Sequence, residues 1–182
     1  MSSSTLHPHD VAVALHLLND SSLAFPEMAA DLGMSLSTAH ASVKRLVLSG
    51  LVRESLGTDR RSRERMVNRR AMLEFLEHGV KYAFAGTLGA SGRGVPTAHA
   101  GPALSDLIVS DESVVWPDAA GDAFGPTLEP LLPGAARLKG NHPETYALLS
   151  AVDAIRVGRA RERKLAIGYL RDRLMHDVSG VA

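Results

Sequence analysis

Cysteine is absent from the 182-residue chain, which excludes disulfides, thiolate nucleophiles and cysteine-ligated metals. Aromatic residues make up only 4% of the chain and apolar residues 45%. A core must therefore come from Leu, Val and Ala, as in a mainly helical protein. No apolar stretch approaches the roughly 20 residues of a membrane span. The N-terminus lacks the basic segment and apolar run of a secretion signal, so the expectation is a cytoplasmic protein with no membrane partner. Net formal charge is zero, and only local clustering of charge can argue for a polyanionic partner.

Such clustering exists. Between Lys44 and Arg70 stand nine bases, Lys44, Arg45, Arg53, Arg60, Arg61, Arg63, Arg65, Arg69 and Arg70, against three acids, Glu54, Asp59 and Glu64. The surrounding pattern gives them a scaffold. Residues 1–8 are polar and expected to fray. Asp10 is placed to cap a helix carrying Val11, Ala14, Leu15, Leu17 and Leu18, which stops at Asn19-Asp20-Ser21-Ser22. A second helix starts at Pro26, with Met28, Ala29 and Leu32 inward, and ends at Gly33, where a left-handed conformation reverses the chain. Ser35 then reads as the N-cap of a third helix over 35–49, whose buried stripe is Leu36, Ala39, Val43, Leu46 and Val47. Its exposed side holds Ser37, Thr38, His40, Ala41, Lys44 and Arg45. Short polar groups permit close approach to a DNA major groove, and Lys or Arg further along reach phosphates or base edges. Leu51-Val52 opens an apolar strand that returns at Met66-Val67. Between them Gly57 to Arg65 is too polar to bury, and Arg60, Arg61, Arg63 and Arg65 can follow a phosphate backbone or enter a narrow minor groove.

Residues 25–70 resemble the winged helix-turn-helix of MarR-like bacterial transcriptional regulators. The residues that carry the likeness are Met28-Ala29-Ala30-Asp31-Leu32-Gly33, Leu36-Ser37-Thr38-Ala39, and Arg45-Leu46 through Gly50-Leu51-Val52-Arg53. The resemblance implies that Ser37, Thr38, His40, Ala41, Lys44 and Arg45 face the groove and that Arg60, Arg61, Arg63 and Arg65 serve the wing. Ser35, opening the helix, joins the DNA-binding set. MarR-like proteins usually carry a dimerisation helix ahead of this unit. Only one helix fits before Phe25 here, so the expected homodimer must use another surface.

Beyond the wing, Ala71, Leu73, Phe75, Leu76, Val80 and Phe84 predict one more helix, completing a DNA-binding domain over 10–84. Residues 85–142 hold most of the glycines and prolines, three bases and six acids, and read as an irregular region. Gly86 to Gly94 lacks the Gly-Lys-Ser/Thr of a phosphate loop and is expected to be a flexible loop. Ala103, Leu104, Leu107 and Ile108 suggest a short helix, and Val114-Val115-Trp116 a short strand. Regularity returns over 143–177 as a C-terminal helical region for dimerisation or partner binding, starting at Pro143-Glu144 and breaking at Gly158. Its face carries Arg156, Arg159, Arg161, Arg163, Lys164, Arg171 and Arg173, partly paired with Asp153, Glu162 and Asp172. Gly94 to His99 together with Val152 to Arg163 faintly resembles helix-turn-helix proteins associated with nucleotidyltransferase-like toxins.

No enzyme is expected. His99 with Asp106 and Asp111 has no spacing that fixes a common face. His7, His9 and His16 have none that gathers them on a metal. Catalytic residues, cofactors and metal sites are thus all expected to be none. The fold class is mainly α with a small β-wing: a winged helix-turn-helix plus an irregular C-terminal region closed by helices. The functional expectation is a sequence-specific regulator, a repressor, reading double-stranded DNA with helix 35–49 and the 53–67 wing. The alternative is an antitoxin or adaptor that binds a protein partner through its C-terminal half and autoregulates through its N-terminal half.

Overall fold

A computed structural model describes residues 5–56 and 63–175. The chain is about half helix, with one small two-stranded antiparallel sheet and helices at its C-terminal end. This is the expected class, mainly α with a small β-wing. Among the described residues no helix is long and apolar enough to cross a membrane.

Helix α1 spans Pro8–His16. Proline suits the first turn because its missing N–H would have no partner there. Asp10 is not the N-cap the sequence suggested. It sits inside the first turn, where its carboxylate accepts the His7 N–H at 2.8 Å. Every residue of α1 from Asp10 to His16 is buried, because the helix at Leu36–Leu48 covers one side and the helix at Pro143–Val157 another.

Helix α2 covers Phe25–Leu32 and buries Met28, Ala29 and Leu32. Gly33 ends it at φ 54°, the left-handed conformation that costs glycine least. The Arg137 guanidinium lies against Gly33 where a Cβ would collide with it, and it donates to the Leu32 carbonyl. A cation there meets the negative end of the α2 dipole. Helix α3 follows at Leu36–Leu48, with Ser35 as the expected N-cap accepting the Thr38 N–H at 3.1 Å. Ala39, Val43 and Leu46 are buried, but Leu36 and Val47 are 47% and 37% exposed. The inward face is narrower than the apolar spacing suggested, and it is completed by Ser42 and Arg45.

Strands β1 (Val52–Leu56) and β2 (Arg63–Val67) pair antiparallel from Val52↔Val67 to Leu56↔Arg63. The expected post-wing helix divides at Gly79 into α4 (Arg69–His78), capped by the Asn68 side chain, and the single turn α5 (Val80–Ala83).

Much of 85–142 is turn and coil, yet the glycine-rich stretch expected to be a loop is a strand. Strand β3 (Leu88–Pro96) pairs antiparallel with β4 (Val115–Pro117) and with β5 (Ala123–Leu128), and β4 meets β5 in parallel at Val115↔Thr127, closing the three on one another. So tight a closure needs a missing side chain: a Cβ on Gly94 would run into the Trp116 carbonyl. The short helix expected at Ala103, Leu104, Leu107 and Ile108 does not form; residues 102–107 are turns. After the short α6 (Leu138–Asn141) comes α7, Pro143–Val157, whose residues Thr145 to Ile155 are all buried. A helix buried on every side is a central element. Gly158 separates it from α8 (Ala160–Met175), which packs on α7 and α4.

Asp153 ties this half together. Its buried carboxylate accepts from Thr97 Oγ1 at 2.8 Å, Trp116 Nε1 at 2.6 Å and Arg156 Nη1 at 2.6 Å. Burial pushes its carboxyl up, against the pull of Arg156, Thr97 and Trp116. Arg156 also donates to the Phe84 and Glu129 carbonyls, so it is a structural cation and not part of a free basic face. Arg171 and Arg173 reach Glu77 and Glu144, both at 3.1 Å. One hydrophobic core runs from Val11 to Leu174.

Candidate nucleic-acid interface

The outward side of α3 is built from residues that the core leaves free. Ser35, Ser37, His40 and Lys44 are exposed, and Thr38 and Ala41 are half-buried beside them. The Ser35 hydroxyl lies 2.9 Å from Ser37 Oγ and 2.8 Å from Thr38 Oγ1. The start of the helix thus carries a cluster of hydroxyls that can donate or accept. Arg63, at the start of the return strand, is 66% exposed in its side chain and stands 3.8 Å from Glu54. Between α3 and the β-ribbon lies an open cleft of about 540 Å³ lined in part by His40, Lys44, Val47 and Arg63.

Two expected contact residues face inward. Arg45 is 8% exposed. Its Nε and Nη2 donate to the two oxygens of Asp10, each at 2.7 Å, while Nη2 also reaches Ser42 Oγ at 3.2 Å and His9 Nε2 at 3.1 Å. Burial alone would raise the Asp10 pKa, but the hydrogen bonds from Arg45, the His7 N–H and Ser42 outweigh it and hold the carboxyl below its usual range. Burial lowers the pKa of His9 despite the neighbouring Asp10, as suits a ring nitrogen that accepts from a guanidinium. Arg45 therefore anchors α3 to α1 from its inward side.

Arg65, expected on the solvent-facing wing, is 5% exposed. It donates to the Leu23 carbonyl at 2.8 Å and lies 3.9 Å over the Phe25 ring. Among the described residues its Nε finds no hydrogen-bond acceptor; Glu54 Oε1 is 3.6 Å away. His40 stacks on the same ring at 3.7 Å. Two planar groups at these distances cannot share one face of a phenyl ring, so Phe25 is sandwiched, with His40 outermost. Arg60 and Arg61 lie outside the described residues.

The sandwich was not legible in the sequence. Phe25 stands at the start of α2, and only the antiparallel return of β2 brings Arg65 beneath it. His99, considered with Asp106 and Asp111, instead has its Nε2 2.9 Å from the Glu112 carbonyl oxygen. Of the metal-ligating types among the described residues, the group that does converge is His16, Asp31 and His142. It lies at the junction of α1, α2 and α7. His7 and His9 are not in it.

No family model, curated protein or solved structure matches the chain.

Proposed function

We propose that the protein is a sequence-specific DNA-binding transcriptional regulator of the MarR-like winged helix-turn-helix kind, acting as a repressor by occupying its operator. The observation that carries this reading is the outward face of α3, with Ser37, His40 and Lys44 exposed beside a β-ribbon that begins its return at the exposed Arg63. In this reading α3 enters the major groove, while Arg63 with Arg60 and Arg61 follows phosphates or the minor groove. His40, held flat by Phe25, presents a ring edge to bases. A homodimer would read two half-sites about 10 base pairs apart, or a multiple of that spacing.

Duplex binding by the full chain at several salt concentrations tests the reading. Lys44→Ala and Arg63→Ala should each weaken binding to all sequences and lower the salt slope by about 1. Unchanged slopes in both variants would reject the interface.

A protein-partner function has its own support in the C-terminal half, where Leu107, Val109 and Phe124 are 55%, 101% and 69% exposed. Stoichiometric co-purification that is lost in Phe124→Ser, with DNA binding unaffected, would favour it.

A further inference from the structure

We propose that His16, Asp31 and His142 form a binding site for a divalent transition-metal ion of the zinc class, which fastens the first helix of the helix-turn-helix to α1 and the head of α7. His16 Nε2 stands 3.1 Å from Asp31 Oδ2, and His142 Nε2 stands 3.4 Å from Asp31 Oδ1. The three ligand atoms all lie within 4.8 Å of one another. Around a tetrahedral ion with bonds of about 2.1 Å, neighbouring donors are about 3.4 Å apart. The observed spacings leave room for an ion with little movement.

The three ligands come from distant parts of the chain. His16 closes α1, Asp31 lies in the last turn of α2, and His142 immediately precedes α7. Two imidazoles and a carboxylate suit zinc and other borderline divalent ions better than calcium or magnesium, which prefer oxygen. The two rings meet edge to face with centroids 5.0 Å apart, which turns both Nε2 atoms toward the same carboxylate.

A second layer supports the first. His16 Nδ1 is 2.9 Å from the buried Thr145 Oγ1, which also accepts from Asn19 Nδ2 at 3.1 Å. When Nδ1–H donates to Thr145, the His16 lone pair sits on Nε2 and faces the Asp31 oxygen. A bound cation turns this lone-pair repulsion into two bonds, and the outer hydrogen bond fixes the ring in the ligating tautomer. His16 is buried, but the side chains of Asp31 and His142 are 29% and 27% exposed. That exposure gives an ion access and leaves water to complete the shell, and a cleft of about 340 Å³ lined in part by Asn19 and Glu144 borders His142. The inference does not depend on the DNA-binding reading.

The test uses the full chain, stripped with a chelator and titrated with zinc and then cobalt, with binding read by calorimetry and cobalt by its visible absorption. One tight equivalent of zinc per chain is expected, with a rise in thermal midpoint and a cobalt spectrum of low coordination number. His142→Ala, at a half-exposed position, should retain the fold by circular dichroism and weaken zinc binding by more than about 100-fold. Thr145→Val should weaken it by about 10–100-fold, as expected for an outer-shell partner. Substituting His7 and His78 with alanine should leave the tight equivalent intact. Wild-type affinity in a folded His142→Ala, or loss of the tight equivalent in His7→Ala/His78→Ala, would overturn the site in favour of adventitious surface histidines. Absence of any tight equivalent in the wild type would leave the cluster as two imidazoles donating to one carboxylate, and would equally overturn it.

Discussion

Arg45 and Asp10 form a two-pronged ion pair, 2.7 Å at each prong, that holds the inward side of α3 to α1. Both side chains are at least nine-tenths buried. Removing one partner leaves an uncompensated charge inside the protein, which typically costs about 3–5 kcal/mol. Arg45→Ala should therefore lower the denaturant midpoint strongly, as read by urea unfolding. On the proposed function, and under conditions where the variant stays folded, its DNA-binding salt slope should equal that of the wild type. A slope reduced by about 1 would mean that Arg45 contacts phosphate after all.

The same corner sets an acid limit on stability. His9 has a folded pKa below the ordinary 6.5, since burial disfavours the charged ring. Protonation therefore favours the unfolded chain, and the His9 contribution, complete above pH 6.5, declines as pH falls below it toward the lower folded value. Asp10, whose folded pKa lies below the ordinary 3.8, contributes fully above that value and loses its share as pH falls through the folded pKa. Urea midpoints measured from neutral pH downward should show two declines. His9→Asn should shrink the first, which the buried His16, also held below 6.5, shares with it, and keep the second.

Phe25 sandwiched between His40 and Arg65 predicts a split between stability and sequence discrimination. Replacing the ring with Leu removes a cation–π contact and a stack, together on the order of 1–3 kcal/mol. It also frees the His40 ring. On the proposed function, Phe25→Leu should bind non-specific DNA nearly as well as the wild type while losing preference for the operator, as measured by competition. Equal losses on both DNAs would argue that His40 reads no base.

Asp153 predicts the opposite pattern, a large effect on folding alone. Asp153→Ala strands the Arg156 guanidinium and leaves Trp116 Nε1 and Thr97 Oγ1 without their acceptor. A loss of about 3–5 kcal/mol is expected, accompanied by a changed Trp116 fluorescence signal. An unfolding free energy within about 0.5 kcal/mol of wild type would show that the three donors find other partners.

The local order of the N-terminal half could be read from the sequence because each of its signals is local. Pro26, Gly33, the Ser35 cap and the apolar spacing of Ala39, Val43 and Leu46 act within a turn or two of themselves. What sequence could not supply was the use of long side chains. Arg45 and Arg65 read as exposed bases because nothing near them in the chain reveals Asp10 thirty-five positions earlier or Phe25 forty positions earlier. The glycine-rich 86–94 stretch failed for a related reason. Its composition matches a loop, and only the approach of the Trp116 carbonyl gives the missing side chain at Gly94 a purpose in a strand. His16, Asp31 and His142 share no helix or strand, so no spacing rule could gather them.

The burial of α1 from Asp10 to His16 has a consequence for how the protein can be divided. Its Ala12, Val13 and Ala14 are fully covered, with α3 packed on one side and α7 on another, and Arg137 holds the end of α2 from the C-terminal half. A fragment ending at residue 84 would leave much of that apolar surface wet and the Leu32 carbonyl without its guanidinium. The helix-turn-helix is thus one facet of an undivided body. Grafted onto another chain, it would have to bring α7 with it.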